Sequence, residues 1–158
     1  MSESGKKSPS MTTGPEWVVL DTNVWIFGLR DEPDRPACLQ MLQRLPRLYV
    51  QVPRQILLEL RANLTRDEMD RFFRLLNCYS QRIQFHWDKV EPALLRKYQQ
   101  LGCKLGDAAV AAHVEALGIK ILVSENRDFL AEIKGLPFRV LTAEEFLRGL
   151  GEPGSTIK

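Results

Sequence analysis

The sequence predicts an α/β fold, a parallel sheet of about five strands with helices on both faces. Three observations carry this. Short apolar runs bounded by turn residues recur along the chain, as strands buried on both faces require. Segments with helical spacing of apolar residues separate them. The two patterns alternate along the chain, which implies a parallel sheet covered on both faces. At 158 residues the chain has room for about one domain.

The elements follow in order. Residues 1–15 are rich in Ser, Gly, Lys, Thr and Pro and read as a disordered leader. Trp17–Leu20 is the first strand. Arg35–Leu45 has helical spacing and stops at Pro46. Leu48–Val52 is the second strand, and Pro53 opens a helix to Leu64, its missing N–H harmless in the first turn. Thr65, with Glu68 three residues on, predicts a capping box and a helix to about Tyr79. Ile83–Trp87 is the third strand, followed by Asp88 as an expected N-cap and a helix over Glu91–Leu101. The Ala-rich stretch Asp107–Leu117 is helical and ends at Gly118. Ile119–Val123 and Phe138–Leu141 complete the sheet, with Thr142 capping a last short helix. Residues 151–158 read as a polar tail, leaving 16–150 as the single folded domain.

Charge and composition narrow the function. The net charge is +2, but residues 35–104 carry thirteen Lys/Arg against six Asp/Glu, while both flanking regions are net acidic. A basic middle suits an anionic partner such as nucleic acid. No apolar run reaches the roughly 18–20 residues of a membrane span, and the start lacks the apolar stretch of a signal peptide. Three cysteines without a C-x-x-C pair predict neither a disulfide framework nor a thiolate zinc site, and fit a reducing cytoplasm. Neither G-x-x-x-x-G-K-[ST] nor G-x-S-x-G occurs. A phosphotransferase of the haloacid dehalogenase type needs a second Asp two residues after Asp21, where Asn23 stands.

The carboxylates are the informative residues. Asp21 directly follows the first strand, and in open α/β sheets ligands bind beyond the carboxyl ends of strands; a turn or cap role competes equally. Glu59 flanks the apolar arc of Ile56, Leu57, Leu60 and Leu64, where an acid can face a cleft or simply solvent. Asp107 reads as the start of its helix, either as an ordinary N-cap or, carried toward the strand ends by the small alanines, as part of a site. Ser124–Asp128 again follows a strand. Brought to one sheet edge, these carboxylates repel one another and need a cation. With oxygen donors only, that cation is Mg²⁺ or Mn²⁺.

Four ordered blocks carry a resemblance: Asp21-Thr22-Asn23 after a strand; Glu59 within Val52–Leu60; Gly106-Asp107 opening the Ala-rich helix; and Leu122–Phe129. Over about residues 17–146 the chain resembles PIN-domain nucleases, near the VapC-type toxins of toxin–antitoxin pairs. The resemblance implies a three-layer α/β/α sandwich, a homodimer, a small antitoxin partner and metal-assisted hydrolysis of RNA that leaves a 5′-phosphate and a 3′-hydroxyl. It makes Asp21, Glu59 and Asp107 the catalytic, metal-binding acids. Asn126 falls where many members have a fourth acid, a role Asp128, or failing that Glu125, would take. Thr22, Asn23, Ser124 and Asn126 would orient ligands or water. Arg54, Arg61, Lys104 and Arg127 would contact RNA phosphates. Trp25, Trp87 and Tyr98 are candidate base-stacking rings, with core packing the commoner fate. The competing readings are a PIN fold kept as a non-catalytic RNA- or protein-binding module, and a free-standing PIN ribonuclease without an antitoxin.

Overall fold

The computed structural model describes residues 16–126 and 133–151. The proposed leader and most of the proposed tail lie outside them. Five strands form one sheet: β1 (Trp17–Leu20), β2 (Tyr49–Pro53), β3 (Ile83–His86), β4 (Ile121–Val123) and β5 (Arg139–Leu141). Their order is β3-β2-β1-β4-β5 and every pairing is parallel. The helices are α1 (Thr22–Leu29), α2 (Pro36–Gln43), α3 (Arg54–Asn63), α4 (Arg66–Cys78), α5 (Pro92–Gln100), α6 (Leu105–Ala116) and α7 (Ala143–Gly151). A 3₁₀ turn, Leu45–Arg47, leads into β2.

The chain moves outward from β1 through β2 to β3, then returns across the sheet to β4. Right-handed crossovers therefore place α1 to α4 on one face and α5 and α6 on the other. The packing agrees: α1 touches α2, α3 and α4, and α5 packs on α6. This is the expected α/β sandwich. The reversal between β1 and β4 leaves a crevice at their carboxyl ends, where such sheets bind ligands.

Only Asp21, as a possible turn or cap residue, hints at helix α1 in the sequence. Its residues, Thr-Asn-Val-Trp-Ile-Phe-Gly-Leu, are apolar almost all round, so no amphipathic period marks them. Asp21 starts the helix as N-cap, accepting the Thr22 N–H at 2.8 Å. Burial then holds it: Val24 and Trp25 are fully buried, and Trp25 meets Phe72 of α4 edge to face at 5.0 Å, a geometry worth about 0.5–1.5 kcal/mol beyond area. A Cβ on Gly28 would lie 2.7 Å from Leu42 Cδ1 and 2.8 Å from the Cys38 carbonyl oxygen, so the glycine is what lets α1 approach α2.

Other boundaries move for local reasons. Pro53 ends β2 and is the N-cap of α3 rather than its first turn. Asp88 is not the N-cap of α5, which starts after Glu91 with Pro92 in its first turn. The Thr65–Glu68 capping box forms as expected, with bonds of 2.9 and 3.2 Å. Thr142 and Glu145 make a second one at the start of α7. The three cysteines are free. Among the described residues no helix is long and apolar enough to cross a membrane.

Candidate active site

The carboxyl ends of β1 and β4 are joined by side chains as well as by the ladder. The Asp21 N–H donates to the Val123 carbonyl at 2.8 Å, which holds Asp21 in register beside Ser124. Ser124 is fully buried, and its Oγ donates to Asp21 Oδ2 at 2.8 Å. The same Oγ accepts the Asn126 N–H at 3.1 Å and the Asn23 Nδ2 at 3.4 Å. Asn23 Oδ1 in turn accepts the Glu125 N–H at 3.1 Å. Asn23, Ser124 and Asn126 thus form one small network that fixes the Asp21 carboxylate.

Glu59 arrives from α3. Its Oε1 accepts the Thr22 hydroxyl and its Oε2 accepts Gln55 Nε2 at 2.8 Å. Thr22 therefore ties the start of α1 to α3, and the flank position of Glu59 resolves toward the crevice. Gln55, one turn before Glu59, escaped the sequence reading; its spacing of four on the same helix is the signal that could have found it. Gly106, which the sequence offers only as part of the third block, has a spatial role as well. A Cβ there would stand 3.0 Å from Glu59 Oε2, so the glycine lets the first turn of α6 reach the carboxylate.

Asp107 is not the N-cap of α6. Lys104 is, in extended conformation, and Asp107 sits in the first helical turn. The early start leaves its carboxylate unused by the cap, and among the described residues it accepts no hydrogen bond. Lys104 lies close enough to favour its charged form.

The electrostatics bind the three acids into one group. Asp21 is 7% exposed, and burial pushes its carboxyl up to about 6. Hydrogen bonds from Ser124 and Thr22 oppose the rise, and the charges of Glu59 and Asp107 add to it. Asp107 is also pushed up, by burial and then by Glu59. Like charges gathered in a crevice favour a counter-cation.

A sequence model of the PIN domain matches residues 18–135. The chain belongs to the PIN-domain family. No curated protein matches the chain. Among solved structures this PIN domain is similar to VapBC2 from Rickettsia felis, determined bound to a DNA fragment from its promoter. The identity is 16% and the TM-score 0.54, over 80% of this chain and 98% of that one. It is also similar to PAE2754 from Pyrobaculum aerophilum, at 18% identity and a TM-score of 0.49, over 86% of this chain and 96% of that one. At 16% identity the likeness to VapBC2 speaks for the fold alone.

The remaining expected residues of this PIN domain divide sharply. Glu125 is engaged on the side of α7 and Arg35. Its Oε2 accepts the Ala143 N–H at 2.8 Å and its Oε1 faces Arg35 at 3.4 Å, so it caps α7. Asn126 is exposed and joins the network through its N–H. Asp128 and Arg127 lie outside the described residues. Arg61 and Lys104 are exposed, and Arg54 is half-buried at the start of α3. Several other basic residues are structural: Arg71 donates to the Leu29 carbonyl, Arg82 lies over Tyr49, and Lys97 pairs with Glu115. Trp25 and Tyr98 are fully buried, which removes them as stacking rings.

The oxygen-only donors suit a hard cation that keeps much of its water. Among the described residues no three His, Cys, Asp or Glu side chains form a ready-made cage. Mg²⁺ is commonly bound through only one or two carboxylates, so the fit is to that kind of ion and not to zinc.

Proposed function

We propose that this PIN domain is a metal-dependent ribonuclease, the toxin of a toxin–antitoxin pair. The observation that supports it best is the junction of Asp21, Glu59 and Asp107 at the sheet's switch point, with proton affinity raised at Asp21 and Asp107 by burial and by neighbouring carboxylates. Asp21 and Asp107, with Glu59, would hold Mg²⁺ or Mn²⁺. When bound, such an ion offsets the carboxylate repulsion, acidifies water and stabilises charge on a phosphodiester.

The chain's own part is positioning. Ser124 and the Thr22 N–H aim Asp21 from both oxygens. Thr22 and Gln55 hold Glu59, whose remaining lone pairs can accept a proton of the attacking water. Lys104 offers a cation beside Asp107 for a phosphate oxygen, and Arg61 supplies sequence-independent charge. Asp128 is proposed as a fourth acid and Arg127 as a further phosphate contact.

The test is incubation of purified protein with a panel of structured and single-stranded RNAs and Mg²⁺ or Mn²⁺. Cleavage should disappear with chelator and in Asp107→Asn. Inactivity of a clean preparation across the panel with either metal would favour the second reading, a binding module without nuclease activity. Asn126, standing where the family pattern has an acid, is the observation on that side. The neighbouring gene separates the toxin from a free-standing ribonuclease, since a toxin needs a small antitoxin encoded beside it. Sedimentation of the purified protein tests the homodimer.

A further inference from the structure

The proposed chemistry accounts for the crevice but not for what lies beside it on the same sheet edge. Val19 pairs with Gln51, and Pro53 pairs with His86. Continuing the β1–β2 register by two residues sets Asp21, Pro53 and His86 at one level. Trp87 is the next residue. Two strand spacings separate β1 from β3, roughly 10 Å. Trp87 therefore stands on the carboxyl edge, about two strands' breadth from Asp21.

Trp87 is 47% exposed, unlike Trp25 and Tyr98, which are fully buried. It is also paired with a cation. The Arg54 guanidinium carbon lies 4.5 Å from the indole centroid, and Arg54 Nη1 donates to the Trp87 carbonyl oxygen at 3.3 Å. Arg54 begins α3, the helix that carries Glu59 one and a half turns later. A half-exposed indole and a guanidinium, held together and anchored to the helix of a site acid, make a flat cationic surface. Indole and guanidinium planes both stack on nucleobases, and the charge attracts the strand's phosphates.

We propose that Trp87 and Arg54 form a nucleobase-stacking subsite that selects single-stranded RNA, binding a base adjacent to the scissile linkage. The proposal rests on the ribonuclease reading for its substrate. A base in a duplex is already stacked on both faces, so only an unpaired one gains from the platform.

The test measures binding in chelator, so that cleavage plays no part. Labelled oligo(A) RNA and a duplex of equal length are titrated against wild-type protein, Trp87→Ala and Trp87→Phe, with thermal melts confirming folding. Trp87→Ala should weaken single-strand binding about tenfold or more and leave duplex binding unchanged. Trp87→Phe should recover most of the affinity. The slope of affinity against salt should stay the same in Trp87→Ala, because no charge is removed, and should fall in Arg54→Ala. Unchanged single-strand affinity in Trp87→Ala overturns the proposal. So does an equal loss on duplex, absence of RNA binding by the wild-type protein, or a change of oligomeric state in Trp87→Ala, which would assign the ring and nearby Phe85 to a second copy. Trp87-dependent binding without cleavage in Mn²⁺ would uphold the subsite while sinking the nuclease reading, and cleavage indifferent to Trp87 would do the reverse.

Discussion

Asp21 and Glu68 are both carboxylates in capping roles, Asp21 as the N-cap of α1 and Glu68 in the capping box of α4, and both accept backbone N–H bonds. Their electrostatics are opposite. Asp21, buried beside two other acids, is pushed from 3.8 up to about 6. Glu68, held by Arg30 at 2.8 Å and by Thr65, is pulled from 4.5 down to about 2. The same local motif thus serves two ends. At α4 the carboxylate is satisfied and stabilises the fold. At α1 it is held in place yet left short of positive charge, which costs stability and is the imbalance that the proposed cation would relieve.

The sharpest way to break that contrast is Asp21→Asn. Cleavage should fall by about 10²–10⁴-fold, while the metal-free protein should become more stable. The sign follows from the raised proton affinity. Asp21 contributes stability below about pH 4 that is lost as pH rises through about 6, a difference of roughly 2–3 kcal/mol. Asn carries no such penalty and keeps an acceptor for the Thr22 N–H. Melts in chelator should show a gain of about 1–2 kcal/mol at pH 8 that vanishes at pH 4. Equal stability at both pH values would mean that Asp21 is not held at an electrostatic cost.

Ser124→Ala sharpens the same side. It removes the O–H that favours ionised Asp21 and an acceptor for Asn126. Activity should drop about 10–100-fold. The acid limb of the pH–rate profile should move to higher pH, because a bond that lowers Asp21's proton affinity is gone. A loss of activity with an unmoved limb would point to general misfolding of the 124–126 turn.

Glu68→Ala probes the other side and should have the smallest reach. Loss of the capping box and the Arg30 bond should destabilise the protein by about 1–2 kcal/mol at pH 7, with the ion-pair share small because Arg30 is exposed. Glu68's contribution is present above the usual carboxylate range and is lost as pH falls from about 4.5 through about 2, so variant and wild type should converge in acid. RNA cleavage at neutral pH should be unchanged; a marked change would erase the distinction between a structural carboxylate and a working one.

The sequence by itself determined the alternation of strands and helices, the Thr65 capping box and the chain order of the acids. These depend on neighbours a few residues apart, and propensity, capping and periodicity act at that range. Three matters were decided only by the tertiary structure. Helix α1 has no polar face to mark its period, and burial on nearly every side made it a helix. Glu59 and Asp107 had bland local readings as a surface acid and an N-cap; Thr22, Gln55 and the missing Cβ of Gly106 turned Glu59 to the crevice, and the early start at Lys104 released Asp107. Of the three rings considered for stacking, only packing could separate buried Trp25 and Tyr98 from exposed Trp87. Most of these deciding contacts join residues far apart in the chain and leave no local pattern to read; Gln55 with Glu59, and the helix start at Lys104 before Asp107, are local and lie within reach of a closer reading of spacing.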